Sequence, residues 1–187
     1  LSAPANIAEG GSGTTPVVFT VTRNGDTSGS GSVTWALSAA AGLTTADFVG
    51  NQDALGTNSG LPSGTVNFAA GETSKVISLN VAGDSVVEAN EVFYVNLTTP
   101  TGATLGAASA TGTILNDDTL PTLAIAATSA SKAEGNSGTT PFTFTVTRSG
   151  NTGGASTVAW SVVEGTATLN AADFSGPTSG VLSFAAG

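Results

Sequence analysis

The chain has no cysteine, no histidine and no methionine. Without thiolate or imidazole ligands, soft metal sites and histidine-based general acid–base chemistry are excluded. Positive charge is nearly as scarce, with 4 Lys+Arg against 13 Asp+Glu and a net charge of -9. Nucleic acid and anionic membrane surfaces are recognised by basic clusters, so no nucleic-acid partner is expected. Long apolar runs are also missing. No segment is long enough to span a bilayer, so membrane insertion is not expected. The opening Leu1-Ser2-Ala3-Pro4-Ala5 has neither the charged nor the apolar region of a secretory leader. The chain therefore reads as a piece of something longer, with targeting signals elsewhere.

What is present is enough apolar material for a core: 40% of 187 residues, against 9% charged. The Thr/Ser/Gly/Ala-rich, lysine-poor background is a composition that many secreted bacterial repeat proteins use, which points to an extracellular location. Ten of the acidic residues precede Thr119, where only Arg23 and Lys75 oppose them.

Self-similarity sets the organisation. The run Glu9-Gly10-Gly11-Ser12-Gly13-Thr14-Thr15-Pro16-Val17-Val18-Phe19-Thr20-Val21-Thr22-Arg23 returns 125 residues later, from Glu134 to Arg148, and Trp35 returns at the same offset as Trp160. Phe68-Ala69-Ala70-Gly71 matches Phe184-Ala185-Ala186-Gly187 at the shorter offset of 116. The first copy thus carries about ten extra residues around Gly50–Pro62, which reads as a surface loop. The second copy has no counterpart to the strands beyond Gly71. Residues 1–118 are expected to form one nearly whole repeat, its first strand missing or frayed, and residues 119–187 the front half of another.

Apolar residues alternate at period two through the first copy. Val17, Phe19 and Val21 form one such row, and Val33, Trp35 and Leu37 the next. Val66 and Phe68 come after, then Ile77, Leu79 and Val81, then Phe93, Val95 and Leu97, and finally a strand over about 110–115. Turns rich in Gly, Asn and Ser separate them, and no window carries a helical stripe. Six or seven short strands with one apolar face predict an all-β fold of two packed antiparallel sheets, with the Trp and Phe side chains filling the space between.

Strands of a sandwich run alternately up and down, so alternate connections meet at one end. Lettering the strands A to G, the A–B connection holds Glu9, and Asp47 lies just after strand C. The E–F connection holds Asp84, Glu88 and Glu91, and Asn116, Asp117 and Asp118 lie just after strand G. Seven carboxylates are thereby predicted at one pole, with Arg23 and Lys75 toward the other. Like charges so close repel unless a cation joins them. An all-oxygen set with carbonyls and an amide nearby suits calcium better than zinc or copper. Neither the EF-hand spacing nor a glycine-rich calcium nonapeptide is present.

The runs Glu9–Gly13, Ala46-Asp47-Phe48, Asp84–Phe93 and Thr113–Asp118 together resemble the Calx-beta domain over essentially the whole chain. The resemblance implies an immunoglobulin-like sandwich that binds calcium at the pole facing the next domain. The matching ligand positions are Glu9, Asp47, Asp84, Glu88, Glu91, Asp117 and Asp118, with the Val86 carbonyl as a further donor. Gly83 and Asn116 stand where strong binders often place acids. One or two ions of roughly micromolar-to-millimolar affinity are therefore implied. The second copy keeps only Glu134 and Asp173, so no complete site is expected there.

The function expected is that of a non-enzymatic, calcium-binding structural and adhesive repeat whose partners are adjacent repeats of the same protein. A half sandwich should be disordered, or pair with another molecule as a homo-oligomer or by strand exchange. A metal-independent spacer is the first alternative. A glycan hydrolase using Glu88 and Glu91 is the second, although only Tyr94 could supply an aromatic wall near them. Cadherin-like repeats also place acids at junctions, but their linker pattern is not reproduced. Asn96-Leu97-Thr98 fits a glycosylation sequon yet falls inside a predicted strand.

Overall fold

The computed structural model describes residues 1–4, 6–40, 42–50, 60–165 and 173–187. The chain divides into two compact units, Leu1–Asp118 and Thr119–Gly187.

Among the described residues, the first unit is a sandwich of seven strands: β1 (Ile7–Ala8), β2 (Gly13–Thr22), β3 (Gly31–Ala39), β4 (Ser63–Phe68), β5 (Ser74–Gly83), β6 (Glu91–Thr101) and β7 (Ser109–Leu115). One sheet runs β1-β7-β6-β3-β4 and the other is the pair β2-β5. The alternating residues decide which side of each strand is inside. Val17, Phe19 and Val21 of β2 and Ile77, Leu79 and Val81 of β5 are buried, while their neighbours face solvent. Val33, Leu37, Val66, Phe68, Phe93, Val95, Leu97 and Ile114 answer them from the larger sheet. Phe93 lies at the centre, edge-on to Phe19 (5.9 Å) and to Phe48 (5.5 Å). Its partner across the ladder is Gly112. A Cβ there would stand 2.3 Å from the Phe93 ring, so the glycine makes room for the aromatic.

Two details depart from the sequence expectations, and a third expectation falls outside the described residues. The opening segment divides its pairing between the sheets. Ser2 bridges Thr20 of β2, whereas Ile7 and Ala8 pair with β7 in parallel, so the larger sheet is not wholly antiparallel. Trp35 holds an inward position yet is only partly buried, because its ring spreads over Gly64 on the edge strand β4. The extra loop of the first copy lies mostly at 51–59, outside the described residues, and ends in Leu61 and the fully buried Pro62.

The second unit contains β8 (Thr122–Ser129), β9 (Thr143–Ser149), β10 (Ser156–Ser161) and β11 (Ser179–Phe184), in the two-stranded sheets β8-β9 and β10-β11. None of its described residues is fully buried, and Phe142, Phe144 and Phe174 are exposed. Here the aromatic residues do not fill a core. The strands that cover their counterparts in the first unit have no equivalent among the described residues.

Candidate metal centre

The strand order gathers the acidic loops at one end of the first unit. Gly13, which opens β2, pairs with Gly83, which closes β5. Glu91, which opens β6, pairs with Ile114 near the end of β7, and Ala8 of β1 pairs with Leu115. Ala39, the last residue of β3, pairs with Phe93. The Glu9 loop, the Asp47 turn, the 84–90 connection and the 116–118 tail therefore share this pole. Arg23 lies at the other. It is buried and donates to the carbonyls of Thr27, Gly29, Ala69 and Glu72 over the ring of Phe68.

Two groups of carboxylates form among the described residues. Glu9, Asp117 and Asp118 each place an oxygen within 4.8 Å of the others, and so do Asp47, Glu88 and Glu91. Asp84 belongs to neither group but is close enough to raise the carboxyl pKa of both Glu9 and Glu88. Val86 contributes through its N–H, which donates to Asp84 Oδ1 at 2.6 Å. Asn116 is a strut: its Oδ1 accepts from the Glu88 N–H (3.1 Å), and its Nδ2 donates to the Asp118 carbonyl (3.1 Å).

The backbone positions these groups locally. The Glu9 N–H donates to the Leu115 carbonyl at 3.3 Å, and the Gly10 N–H to Asp117 Oδ1 at 3.2 Å, which ties the start of the unit to its end. Thr15 Oγ1 donates to the Glu9 carbonyl (2.9 Å) and closes the glycine-rich turn, in which Gly10 and Gly13 have φ of 85° and 79°. Such values are open to glycine and costly for other residues. Asp47 caps its own turn, its Oδ2 accepting from the Thr44 N–H, and its carbonyl accepts from Ala82 of β5 at 2.8 Å. Gly83 packs directly on the Glu9 loop. A Cβ there would come within 2.2 Å of the Gly10 carbonyl oxygen and 2.7 Å of that of Glu9, so this pole has no space for an acid at 83.

Electrostatic strain is concentrated where burial meets like charge. Glu9 is only 7% exposed, and its Oε1 has no hydrogen-bond partner among the described residues. Burial first, then the charges of Glu88, Asp84, Asp118 and Asp117, push its carboxyl up to about 7. Glu88 is raised by partial desolvation and then by Asp84, Asp47 and Asp118. Glu91 is raised by burial and then by Asp47 and Glu88. A buried carboxylate oxygen without a donor is costly, and a hard cation between clustered carboxylates relieves both penalties at once. The residues present fit calcium, since every side-chain donor in both groups is an oxygen.

Sequence reasoning overlooked Asn90, whose Oδ1 accepts from the Asn116 N–H at 3.1 Å. It also overlooked Gly42, whose Cβ position is 3.2 Å from Glu91 Oε1. Only the threonine three residues before Asp47 carried a readable signal, as a turn pattern. In the second unit Glu134 is exposed and joins no carboxylate group among the described residues. The glutamate pair considered for hydrolysis falls in the group with Asp47, and Tyr94 is exposed on β6 beside the buried Phe93.

No match was found among curated protein sequences. Among solved structures, the crystal structure of CBD12 from CALX1.2 aligns with 98% of this chain and 69% of its own, at 26% identity and a TM-score of 0.51. The apo form of the Calx CBD1 domain aligns with 61% of this chain and 90% of its own, at 28% identity and a TM-score of 0.49. The calcium binding domain CBD12 of CALX1.1 aligns with 62% and 42%, at 30% identity and a TM-score of 0.46. The profile of the Calx-beta domain matches residues 14–119 and again 123–187. The chain belongs to the Calx-beta domain family.

Proposed function

We propose that residues 1–118 form a calcium-binding structural repeat of a large extracellular protein, serving adhesion, in which the ion stiffens the junction to the adjacent repeat. The observation that carries this reading is the buried, unpartnered Oε1 of Glu9 in a residue grouped with Asp117 and Asp118. Those two aspartates end the first unit, so the residues that would hold the ion are also those that lead into Thr119. Glu9, Asp117 and Asp118 would form one site and Asp47, Glu88 and Glu91 the other, with Asp84 between them in charge. Bound calcium supplies neutralisation of repelling carboxylates and no reaction chemistry. Glu9 and Asp117 already meet through the Gly10 N–H, so drawing their carboxylates together removes freedom from the 116–118 tail. No catalytic group is required.

Calorimetric titration of the full chain with calcium, beside melting in calcium and in chelator, tests this. Binding of one or two ions is expected, with stabilisation of about 2.7 kcal/mol at a hundredfold excess over Kd. Glu9→Gln should weaken the first site. A titration without heat and identical melting curves would sink the proposal.

That outcome would favour a metal-independent spacer, a reading with its own support. The pole is already laced by hydrogen bonds from Gly10 to Asp117, from Glu88 to Asn116 and from Val86 to Asp84. Those bonds position the carboxylates but leave the Glu9 oxygen without a donor, which is why calcium binding is the stronger reading.

A further inference from the structure

The 116–118 tail carries two members of one carboxylate group, Asp117 and Asp118, and is bonded to the segment that carries Glu88 and Glu91 of the other. Asn116 makes the connection. Its Oδ1 accepts from the Glu88 N–H, and its Nδ2 donates to the Asp118 carbonyl, both at 3.1 Å. The Asn116 N–H donates in turn to Asn90 Oδ1 at 3.1 Å, one residue before Glu91. Asn116 thus holds the 88–91 segment at two points, once by its side chain and once by its main chain.

The side-chain amide suits this position in a way that a carboxylate would not. One planar group offers both an acceptor and a donor. Turning it over would set Nδ2 against the Glu88 N–H and Oδ1 against the Asp118 carbonyl, donor on donor and acceptor on acceptor. Its partners therefore fix its orientation. They also commit Oδ1, the one oxygen of the side chain, to an N–H. An aspartate at 116 would keep the bond from Glu88 and lose the bond to Asp118.

The first group is tied to the same tail. The Gly10 N–H donates to Asp117 Oδ1 at 3.2 Å, and the Glu9 N–H donates to the carbonyl of Leu115, the residue before Asn116, at 3.3 Å. Drawing Glu9, Asp117 and Asp118 onto an ion fixes the tail, and a fixed tail holds the Asn116 amide against Glu88. A second ion then meets a Glu88 already ordered and costs less chain freedom. Through space the effect has the opposite sign, because two cations repel. A positive coupling between the groups has to travel through the chain.

We infer that Asn116 is a positioning residue that couples the two groups, so that an ion held by Glu9, Asp117 and Asp118 raises the affinity of Asp47, Glu88 and Glu91 for a second. Coupling between binding sites is reciprocal, so the second ion favours the first equally. This rests on the calcium reading above and goes beyond it, since two ions could also bind at this pole independently. Position 116 acts here through its neighbours and not as a ligand.

Calcium titration of the full chain, followed through individual backbone amide resonances, tests the coupling. The Gly10 N–H, bonded to Asp117, reports on the first group, and the Thr44 N–H, bonded to Asp47, reports on the second. Glu9→Gln impairs the first group and should raise the calcium midpoint at Thr44 by at least about fivefold, but by less than about twofold when Asn116→Ala is also present. Asn116→Asp keeps the acceptor without the donor, and should remove the dependence of Thr44 on Glu9 in the same way. Equal shifts with and without Asn116 overturn the inference, because a merely structural loss moves both backgrounds alike. Retention of the coupling in Asn116→Asp, with tighter binding at both amides, overturns it by making position 116 a ligand. A response at only one of the two amides means a single ion, which removes the coupling while the calcium reading stands. A wild-type chain in which neither amide responds sinks the calcium reading itself, and the coupling with it.

Discussion

The two copies of the Glu9–Arg23 run show which properties a sequence carries by itself and which it acquires from neighbours. The local features are nearly the same in both. Gly10 and Gly135 have φ of 85° and 88°, and Gly13 and Gly138 have 79° and 76°. Thr15 and Thr140 each close the turn on the carbonyl of the glutamate six residues earlier, at 2.9 and 2.7 Å. Arg23 and Arg148 each lie over the matching phenylalanine. Burial differs throughout. Phe19, Val17 and Phe48 are 0%, 1% and 7% exposed, and their counterparts Phe144, Phe142 and Phe174 are 58%, 46% and 39% exposed. Glu9 is buried and Glu134 is exposed. The turn is encoded by about fifteen residues, whereas the core and the acidic pole need strands from much farther along the chain.

The strongest way to break this comparison is to truncate the same side chain in both copies. Phe19→Ala removes a fully buried ring that packs edge-on to Phe93, and should cost the first unit about 3–5 kcal/mol. Phe144→Ala removes a ring already in solvent and should change stability by less than about 0.5 kcal/mol. Urea unfolding of the two variants measures both. Equal costs would mean that the second unit has a core that its burial pattern does not show.

A smaller effect probes the contact that shapes the acidic pole. Gly83→Ala places a methyl against the Gly10 and Glu9 carbonyls, which are backbone atoms and cannot swing away as a side chain could. Overpacking of this kind costs about 1–3 kcal/mol. It should also move Glu9 relative to Asp117 and Asp118, so calcium affinity and unfolding midpoint should fall together. A destabilised variant with unchanged calcium affinity would separate the Glu9 loop from the site.

How much of this was legible depends on range. Alternation over five or six residues is a local signal, and it located β2 to β6 with the inward row of each, and the span of β7 without its inward row. Strand parity extended that to the pole, because the direction of each strand is fixed once its order is known, and this is why Glu9, Asp84 and Asp118 could be placed together. Their division into two groups could not be read. It depends on distances of a few ångströms between side chains on separate loops, set by contacts such as Asn116 to Glu88 and Gly83 against Gly10. The split path of the opening segment was also invisible, since two-residue pairing at Ile7–Ala8 leaves no periodicity. Trp35 was assigned inward correctly by alternation, but a ring of that size at the edge beside Gly64 is only partly covered.

The last effect is a change of slope rather than of level, and it centres on Glu9. In the calcium-free protein the folded Glu9 carboxyl titrates at about 7, against an ordinary value of 4.5. Between those values the folded state holds a proton that the unfolded state has released. Stability therefore falls as pH rises through that window, being fully present below it and lost above about 7. Glu88 and Glu91 are displaced in the same direction and add to the slope. Glu9→Gln should flatten the profile without abolishing it, as thermal melting in chelator from pH 4 to 8 would measure. With calcium present the dependence should reverse, because an ion and a proton compete for the same oxygens and affinity rises as the carboxyls ionise. A wild-type profile that stays flat in chelator would mean that Glu9 is charged and satisfied without an ion, which would remove the physical reason for calcium at this pole.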